Sequence, residues 1–212
     1  MKPIDTVIFD MDGTLYQIDG NAKGFKGSSL EQQVIANACA FVQEREGCDE
    51  TQARSILDEA IAAEKISSFL ATRYGITRAE YFDIAWKIDP EGIVQKYEEA
   101  VKLVKLLREK EIATVLLTAA PRMWQQIVIG YLGLQPDFDE VYTGEMFDKK
   151  NEVFAQLATT GDPARMLSVG DQEQSDIAPA AALGMQTLLV RSPEDVTRVL
   201  EFLQEEGGSN DR

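Results

Sequence analysis

The sequence contains no histidine and only two cysteines, Cys39 and Cys48. The absence of histidine excludes Ser-His-Asp and Cys-His catalysis, phosphohistidine chemistry and His-ligated zinc. The two cysteines fit no metal-binding spacing, and we interpret them as free thiols of a reducing compartment. No apolar run approaches the ~20 residues of a membrane span, and the N-terminal residues lack the apolar segment of a signal peptide. We therefore expect a cytoplasmic protein without a membrane partner.

Positive charge is also scarce, because 21 Lys and Arg face 36 Asp and Glu and give a formal net charge of −15. Such a surface repels nucleic-acid backbones, so we expect no nucleic-acid polymer as a partner. A small phosphorylated substrate stays possible, since a bound cation can invert the field inside one cleft. With histidine absent, any catalysis must depend on carboxylates, lysine and hydroxyls, with or without a hard metal ion.

Short apolar runs alternate with helical patterns over most of the chain. Strands are predicted at 7–9, 112–117, 141–143, 166–169 and 187–190, and helices at 97–107, 121–132, 151–158 and 177–183, with a last helix after Ser192. This alternation predicts an α/β fold with a doubly wound, mostly parallel, Rossmann-like sheet.

Residues 23–95 interrupt the alternation after the first strand and are predicted to be entirely helical. Helix starts are indicated by Ser29 with Gln32, by Asp49 with Gln52, by Thr77 with Glu80, and by Asp89-Pro90-Glu91. The second of these helices is expected to reach Tyr74-Gly75. We predict a core domain of residues 1–18 and 96–206, an inserted helical cap of residues 19–95, and a flexible tail at 207–212.

Polar side chains follow three of the predicted strands. They are Asp10, Asp12, Gly13 and Thr14 after the first strand, Thr118 after the second, and Asp171 with Asp176 after the fourth; Lys149-Lys150 opens the intervening helix. Ligands bind at the carboxyl ends of such strands. Clustered carboxylates repel one another, and Mg²⁺, which prefers oxygen ligands, relieves that repulsion. One carboxylate can then attack phosphorus while its neighbour transfers protons, and a hydroxyl and an ammonium group hold the phosphoryl oxygens.

Each of these residues also has a simpler interpretation. Asp10 and Asp12 could form a polar turn, Thr118 could finish a strand, Asp171 and Asp176 could cap a helix, and the lysine pair could be solvated. Arg122 and Trp124 could face the cleft or lie on the surface of a helix N-terminus. The order of the motifs along the chain favours the functional interpretation.

Four segments together resemble the motifs of the haloacid dehalogenase (HAD) superfamily. They are Asp10-Met-Asp-Gly-Thr-Leu15, Thr118, Lys150 and Gly170-Asp-Gln-Glu-Gln-Ser-Asp176, and the insertion resembles a helical, type C1 cap. The resemblance implies that Asp10 is the nucleophile and Asp12 the general acid/base. It implies that Mg²⁺ is held by Asp171, the Asp10 carboxylate and the Asp12 carbonyl, with support from Asp176. Phosphate would bind Thr118, the Ala119 N–H and Lys150, with Lys149 as the alternative lysine.

The resemblance implies a phosphatase, because the dehalogenases lack an acid equivalent to Asp12. We expect a Mg²⁺-dependent phosphomonoester hydrolase that forms an aspartyl-phosphate on a small phosphorylated metabolite. The stretch from Asp10 to Tyr16 and a cap carrying Tyr74-Gly75 resemble the pyrimidine 5′-nucleotidase branch, so a nucleoside monophosphate is the first expectation. The alternatives are a sugar-phosphate phosphatase, a phosphomutase, and a non-enzymatic phospho-acceptor signalling or binding domain. The oligomeric state stays open.

Overall fold

A five-stranded parallel sheet forms the centre of the protein. The structure is a computed structural model that describes residues 2–19, 24–63 and 65–203. The sheet contains β1 (Thr6–Phe9), β4 (Ala113–Leu117), β5 (Glu140–Tyr142), β6 (Met166–Gly170) and β7 (Gln186–Leu189), in the spatial order β5-β4-β1-β6-β7. β1 is the middle strand and pairs in parallel with both β4 and β6. The predicted α/β, doubly wound fold is confirmed.

Alternating side chains of β1 enter the two cores that cover the faces of the sheet. Val7 and Phe9 belong to the larger core and Ile8 to the smaller one. The larger core includes residues of α5 (Glu98–Glu109) and α6 (Arg122–Leu132), and the smaller includes residues of α7 (Lys150–Thr160) and α8 (Ala178–Ala182). Helices therefore bury both faces of the sheet, as a parallel sheet requires.

Four helices follow the first strand, and they correct two details of the prediction. They are α1 (Ser29–Glu46), α2 (Glu50–Ala62), α3 (Ile66–Tyr74) and α4 (Arg78–Ala85). The predicted capping box at Ser29 and Gln32 is wrong, because Ser28 is the N-cap and its hydroxyl accepts from the Glu31 N–H at 3.1 Å. The predicted second helix is divided, because α2 ends at Ala62 and α3 begins at Ile66. The boxes of Asp49 with Gln52 and Thr77 with Glu80 are confirmed.

The prediction that residues 23–95 are entirely helical is wrong at the end of the insertion. Asp89-Pro90 starts only one turn, in which the Val94 N–H donates to the Pro90 carbonyl at 2.8 Å. Gly92 has φ +79°, which ends the turn because a right-handed helix cannot continue through that conformation. The chain then forms β3 (Val94–Lys96), which pairs antiparallel with β2 (Tyr16–Ile18).

The other predicted elements are present with small changes at their ends. The predicted helix at 177–183 is a π-helical turn at Glu173–Ile177 followed by α8, and the last helical segment is a 3₁₀ turn at Pro193–Arg198 followed by α9 (Val199–Leu203). A short 3₁₀ turn at Pro163–Arg165 precedes β6. Within the described ranges no helix is long and apolar enough to cross a membrane. The predicted tail at 207–212 lies outside the described residues.

Candidate active site

The predicted site residues meet at the carboxyl ends of β1, β4 and β6. β1 pairs Phe9 with Leu116 of β4 and with Val169 of β6, so these strands end within one or two residues of the same level. Asp10 follows β1, Thr118 follows β4 and Asp171 follows β6. The Asp10 N–H also donates to the Val169 carbonyl at 2.9 Å, which fixes the start of the loop that carries Asp12.

Lys150, the first residue of α7, connects two buried carboxylates. Its Nζ lies 2.6 Å from Asp10 Oδ1 and 2.7 Å from Asp176 Oδ1. All three side chains are buried, whereas Lys149 is exposed at the helix N-cap. The pKa of Lys150 is raised, because the two carboxylates outweigh the burial that acts to lower it. Of the two candidate lysines, the structure places Lys150 beside Asp10.

Asp10 itself is a buried carboxylate among other acids. Burial raises its pKa well above the ordinary value against the attraction of Lys150, and the charges of Asp176, Asp12 and Asp171 add to the increase. The Thr14 hydroxyl lies 3.5 Å from Asp10 Oδ2, on the side away from the lysine contact. The opposite oxygen, Oδ1, accepts a hydrogen bond from Lys150 Nζ. Asp10 is therefore fixed in orientation, and its charge is favoured only while cations stay nearby.

Asp12 accepts hydrogen bonds on both carboxylate oxygens. Thr118 Oγ1 donates to Oδ2 at 3.4 Å, while the Tyr16 hydroxyl and Trp124 Nε1, the latter at 3.3 Å, donate to Oδ1. Burial raises the pKa of Asp12, and the donors from Tyr16, Trp124 and Thr118 limit that increase. Thr118 in turn accepts from the Ala120 N–H at 3.0 Å.

Two glycines permit the close approach of the remaining acids. A Cβ on Gly13 would lie 2.4 Å from Asp171 Oδ2, and a Cβ on Gly170 would lie 2.5 Å from Asp176 Oδ2. Gly13 also has φ +81°, a backbone conformation that residues with a side chain rarely adopt. Asp176 is further held by the Gln172 N–H at 3.0 Å. The absence of side chains at 13 and 170 is thus what lets both carboxylates reach the rim.

Asp10, Asp171 and Asp176 form a cluster that fits a hard metal ion. One carboxylate oxygen from each lies within 4.8 Å of the others. Asp171 Oδ1 is buried and has no hydrogen-bond partner, which is costly unless a cation or water satisfies it. Burial raises the pKa of Asp171 to about 6, and the charge of Asp176 adds to the increase. An all-oxygen donor set with an unsatisfied carboxylate is suited to Mg²⁺.

Ala119, Trp124 and Arg122 lie in or after the loop that follows β4. Ala119 is exposed beside Thr118, and its carbonyl packs against Gly144, where a Cβ would lie 2.2 Å from that oxygen. Trp124 is fully buried and reaches Asp12, so it is not a surface residue of the helix N-terminus. Arg122 is exposed, and its N–H donates to Glu145 Oε2 at 2.8 Å.

Tyr16 contacts the candidate site, and the sequence analysis did not predict this contact. It is fully buried, and its hydroxyl contacts both Asp12, 4 residues away in the sequence, and Trp124, 108 residues away. The sequence offers one indication of this contact: Tyr16 comes directly after the first motif, so its side chain can turn back toward Asp12. A tyrosine that starts a buried strand is otherwise typical core packing.

A pocket of about 300 Å³ lies among the helices that follow β2. Its walls include the stacked rings of Phe25 and Trp86, whose centroids are 5.0 Å apart, together with Tyr81 and Phe82. Arg78 also lines the pocket, and its guanidinium donates to the Gly144 carbonyl at 3.4 Å. The Gly144 N–H donates to the Ala120 carbonyl, so one wall of the pocket contacts the loop that follows β4.

Comparisons with known proteins agree with this fold. A family model described as haloacid dehalogenase-like hydrolase matches residues 4–184. No curated protein matches the sequence significantly. Among solved structures, a HAD phosphatase from Thermococcus onnurineus has a TM-score of 0.62 at 18% identity over 93% of this chain and 98% of that one.

Two further structures show the same architecture. A predicted phosphoglycolate phosphatase from Haemophilus somnus has a TM-score of 0.58 at 15% identity, over 96% of this chain and 100% of that one. YfnB from Bacillus subtilis, solved bound to magnesium, has a TM-score of 0.54 at 19% identity, over 96% of this chain and 100% of that one. At these identities the likeness is one of fold.

Proposed function

The chain belongs to the haloacid dehalogenase-like hydrolases, and from this premise we propose that it is a Mg²⁺-dependent phosphomonoester hydrolase with Asp10 as nucleophile. The observation that carries the proposal is the buried contact of Asp10 with Lys150 at 2.6 Å, next to a second acid, Asp12, that is hydrogen-bonded to Thr118. A nucleophile, a proton-transfer group and phosphate-binding donors thus share one rim. The presence of Asp12 favours phosphoryl transfer over dehalogenation.

In the proposed first step, a carboxylate oxygen of Asp10 attacks the phosphorus of the substrate. The bond from phosphorus to the ester oxygen breaks, and that oxygen leaves with the electron pair and takes a proton from Asp12. The Lys150 ammonium and the Thr118 hydroxyl compensate the charge of the transferred phosphoryl oxygens, with the Ala119 N–H as a further donor. The products of this step are an alcohol and an aspartyl-phosphate on Asp10.

In the proposed second step, water attacks the phosphorus of the aspartyl-phosphate. The Asp12 carboxylate takes a proton from that water, and the bond from phosphorus to the Asp10 oxygen breaks. Inorganic phosphate leaves, Asp10 is again a carboxylate, and Asp12 is again protonated. One water molecule is consumed for each phosphoester, so atoms and protons balance.

Mg²⁺ fits the acidic cluster of this site. Asp10 and Asp171 would hold the ion through their carboxylates and the Asp12 carbonyl would add a third ligand, while Asp176, which already binds Lys150 and the Gln172 N–H, would align them. The bound ion would supply charge neutralisation for the carboxylates and the phosphoryl group. The buried, unpartnered Asp171 Oδ1 supports this assignment.

A nucleoside monophosphate is the proposed substrate, with the aromatic pocket as the place of its base. The stacked Phe25–Trp86 pair and the rings of Tyr81 and Phe82 offer flat apolar walls for a planar group. A sugar-phosphate phosphatase or a phosphomutase is the second candidate. A second anionic group would need cations, and Lys26 and Arg78 line the same pocket with one carboxylate, Glu31. The net charge of −15 supports a small substrate rather than a nucleic-acid polymer.

Phosphate release from a panel of phosphomonoesters tests the proposal. The panel contains nucleoside monophosphates, sugar phosphates, phosphoglycolate and p-nitrophenyl phosphate, each with and without Mg²⁺. We expect Mg²⁺-dependent release that Asp10→Asn abolishes, while the surface variant Asp5→Asn stays within about twofold of wild type. Release by Asp10→Asn at the wild-type rate, or no release from any member, would contradict the proposal. Isomerisation of a sugar phosphate in place of release would favour the mutase.

A further inference from the structure

Two fully buried aromatic residues, Tyr16 and Trp124, extend the candidate active site into the core. The Tyr16 hydroxyl donates to Asp12 Oδ1, and Trp124 Nε1 lies 2.9 Å from the Tyr16 oxygen and 3.3 Å from Asp12 Oδ1. Neither residue belongs to the four motifs that carry the superfamily resemblance, although Tyr16 ends the stretch that resembles the nucleotidase branch. Both have 0% of their surface exposed, and the polar atom of each contacts Asp12 and the polar atom of the other.

The direction of these hydrogen bonds is determined by the chemistry of the two side chains. An indole N–H can only donate, so the Tyr16 oxygen accepts from Trp124 and the phenolic proton is left to point at Asp12. The contacts therefore run from Trp124 to Tyr16 to Asp12. Packing alone would not require this arrangement, because a phenylalanine at position 16 would fill nearly the same volume without a polar group.

The Thr118 hydroxyl cannot donate to Asp12 and to the substrate at the same time, so Asp12 needs other hydrogen-bond donors. The Thr118 hydroxyl has one proton, which it gives to Asp12 Oδ2 in this structure. If Thr118 turns that proton to a phosphoryl oxygen of the substrate, Asp12 loses the donor on Oδ2. Tyr16 and Trp124, which both contact Oδ1, then remain as the groups that fix the orientation of the carboxyl group.

We propose that Tyr16 and Trp124 are positioning residues that hold the Asp12 carboxyl group in place for proton transfer to the leaving oxygen. This inference rests on the proposed phosphatase function and deepens it. The backbone supports the same geometry, because the Gly13 N–H donates to the Tyr16 carbonyl at 3.0 Å and closes the loop between Asp12 and Tyr16. This hydrogen bond ties the backbone of Tyr16 to that of Gly13, the residue next to Asp12.

The leaving group provides a readout that a purely structural role would not change. An alkyl phosphate must expel a strongly basic alkoxide and depends on proton donation, whereas p-nitrophenolate leaves readily without it. Loss of positioning should therefore lower kcat/KM for an alkyl phosphate and leave kcat/KM for p-nitrophenyl phosphate nearly unchanged. General loss of folded protein would lower both values equally.

The experiment compares Tyr16→Phe with wild type on the best alkyl phosphate of the panel and on p-nitrophenyl phosphate, at saturating Mg²⁺. We expect a loss of about tenfold or more on the alkyl ester and less than about threefold on the aryl ester. Tyr142→Phe is the matched control, since its hydroxyl also donates to a carboxylate, Glu140, but away from the site. It should leave both values unchanged.

Trp124→Phe provides a second variant in case Tyr16→Phe does not fold, as judged by its thermal midpoint. It removes the donor to both Tyr16 and Asp12, and we expect the same selective loss on the alkyl ester. Equal losses on both esters, or no loss in either variant, would overturn the inference. If Asp10→Asn is inactive in the same assays, such a result leaves the proposed function intact, whereas an active Asp10→Asn would overturn both.

Discussion

Lys150 carries the positive charge that allows two buried carboxylates to lie side by side. Its Nζ is within 2.7 Å of both Asp10 and Asp176, and all three side chains are buried. Removing one member of a buried ionic group leaves the others without compensation, which is more costly than the net gain from the intact group. The same ammonium group is the proposed phosphate ligand, so we expect both stability and activity to depend on it.

We therefore expect Lys150→Met to lose activity by about 100-fold or more. It should also lose on the order of 3 kcal/mol of unfolding free energy, because Asp10 and Asp176 would be left buried without their cation. Lys149→Met is the matched control, and its exposed side chain predicts a change within about 0.5 kcal/mol. Denaturant unfolding and phosphate release measure the two quantities. A larger effect at Lys149 would assign the phosphate contact to that residue.

Gly13 provides a second test at the scale of single residues. Gly13→Ala would place a Cβ 2.4 Å from Asp171 Oδ2, so we expect Asp171 to be displaced and the Mg²⁺ concentration for half-maximal activity to rise by about tenfold or more. Gly75→Ala is the matched control, because Gly75 also has a positive φ, +70°, but has nothing within 4 Å of the new Cβ. Both variants pay a similar backbone strain of about 1 kcal/mol. If Gly75→Ala raised the Mg²⁺ requirement equally, strain alone would be the cause.

The residues of the site differ in how far the sequence could predict them. Asp10, Thr118 and Asp171 follow strands directly, so the rule that ligands bind at strand ends was enough to bring them together. Tyr16 and Trp124 meet Asp12 only because β2 and α6 pack on the same loop, which no spacing in the sequence encodes. The sequence did not decide between Lys149 and Lys150, because that choice depends on the exact residue at which α7 begins.

At the scale of elements, apolar runs predicted the five strands of the sheet, but signals at helix ends were less reliable. Asp89-Pro90-Glu91 has the composition of a helix start, yet Gly92 at φ +79° allows one turn only, and β3 follows. Pairing of β3 with β2 joins residues that lie far apart in the sequence, such as Ile18 and Val94, which are 76 residues apart, and local patterns cannot show such contacts. The sequence also could not show which of the adjacent residues Ser28 and Ser29 is the N-cap of α1.

The N-cap of α1 gives a prediction at this scale. The Ser28 hydroxyl accepts from the Glu31 N–H, so Ser28→Ala should lower the unfolding free energy by about 1 kcal/mol. Ser29→Ala is the matched control, since Ser29 lies inside the helix and its half-buried side chain contacts Asp19 instead. We expect a smaller loss there. Equilibrium denaturation measures both variants, and a larger loss at Ser29 would restore the cap that the sequence indicated.

The protein as a whole carries an excess of negative charge, and its candidate site adds several buried acids around a single lysine, Lys150. The formal net charge is −15, and three acids at the rim have raised pKa values because of burial. A folded protein that holds carboxylates in this way is less stable when they ionise. Binding of a divalent cation to the folded state alone should reverse that loss. Stability and Mg²⁺ binding are thus expected to be linked through pH.

The sign of this linkage follows from Asp171, whose pKa is raised from 3.8 to about 6. Because the folded state binds this proton more tightly than the unfolded chain, the stabilisation is complete below pH 3.8 and is lost as pH rises through about 6. We therefore expect the metal-free protein to unfold at a lower temperature at about pH 7.5 than at about pH 5. Acids whose pKa values are lowered, such as Asp162 and Asp195, make the folded protein more stable as pH rises, but they do so only at the lower pH values where they titrate.

Mg²⁺ at 100 times its dissociation constant should restore about 2.7 kcal/mol at pH 7.5, which corresponds to a rise of roughly 5–10 °C in the midpoint for a chain of this size. The rise should be smaller near pH 5, where protons compete with the ion for Asp171. Asp171→Asn should remove most of the rise, whereas Asp162→Asn, a surface acid that pairs with Lys2, should retain it. Thermal scans with and without Mg²⁺ at the two pH values measure these shifts. A wild-type midpoint that Mg²⁺ does not change would contradict binding of the ion. A rise that survives in Asp171→Asn would place the ion elsewhere, because the proposed metal site depends on the unpartnered Asp171 oxygen.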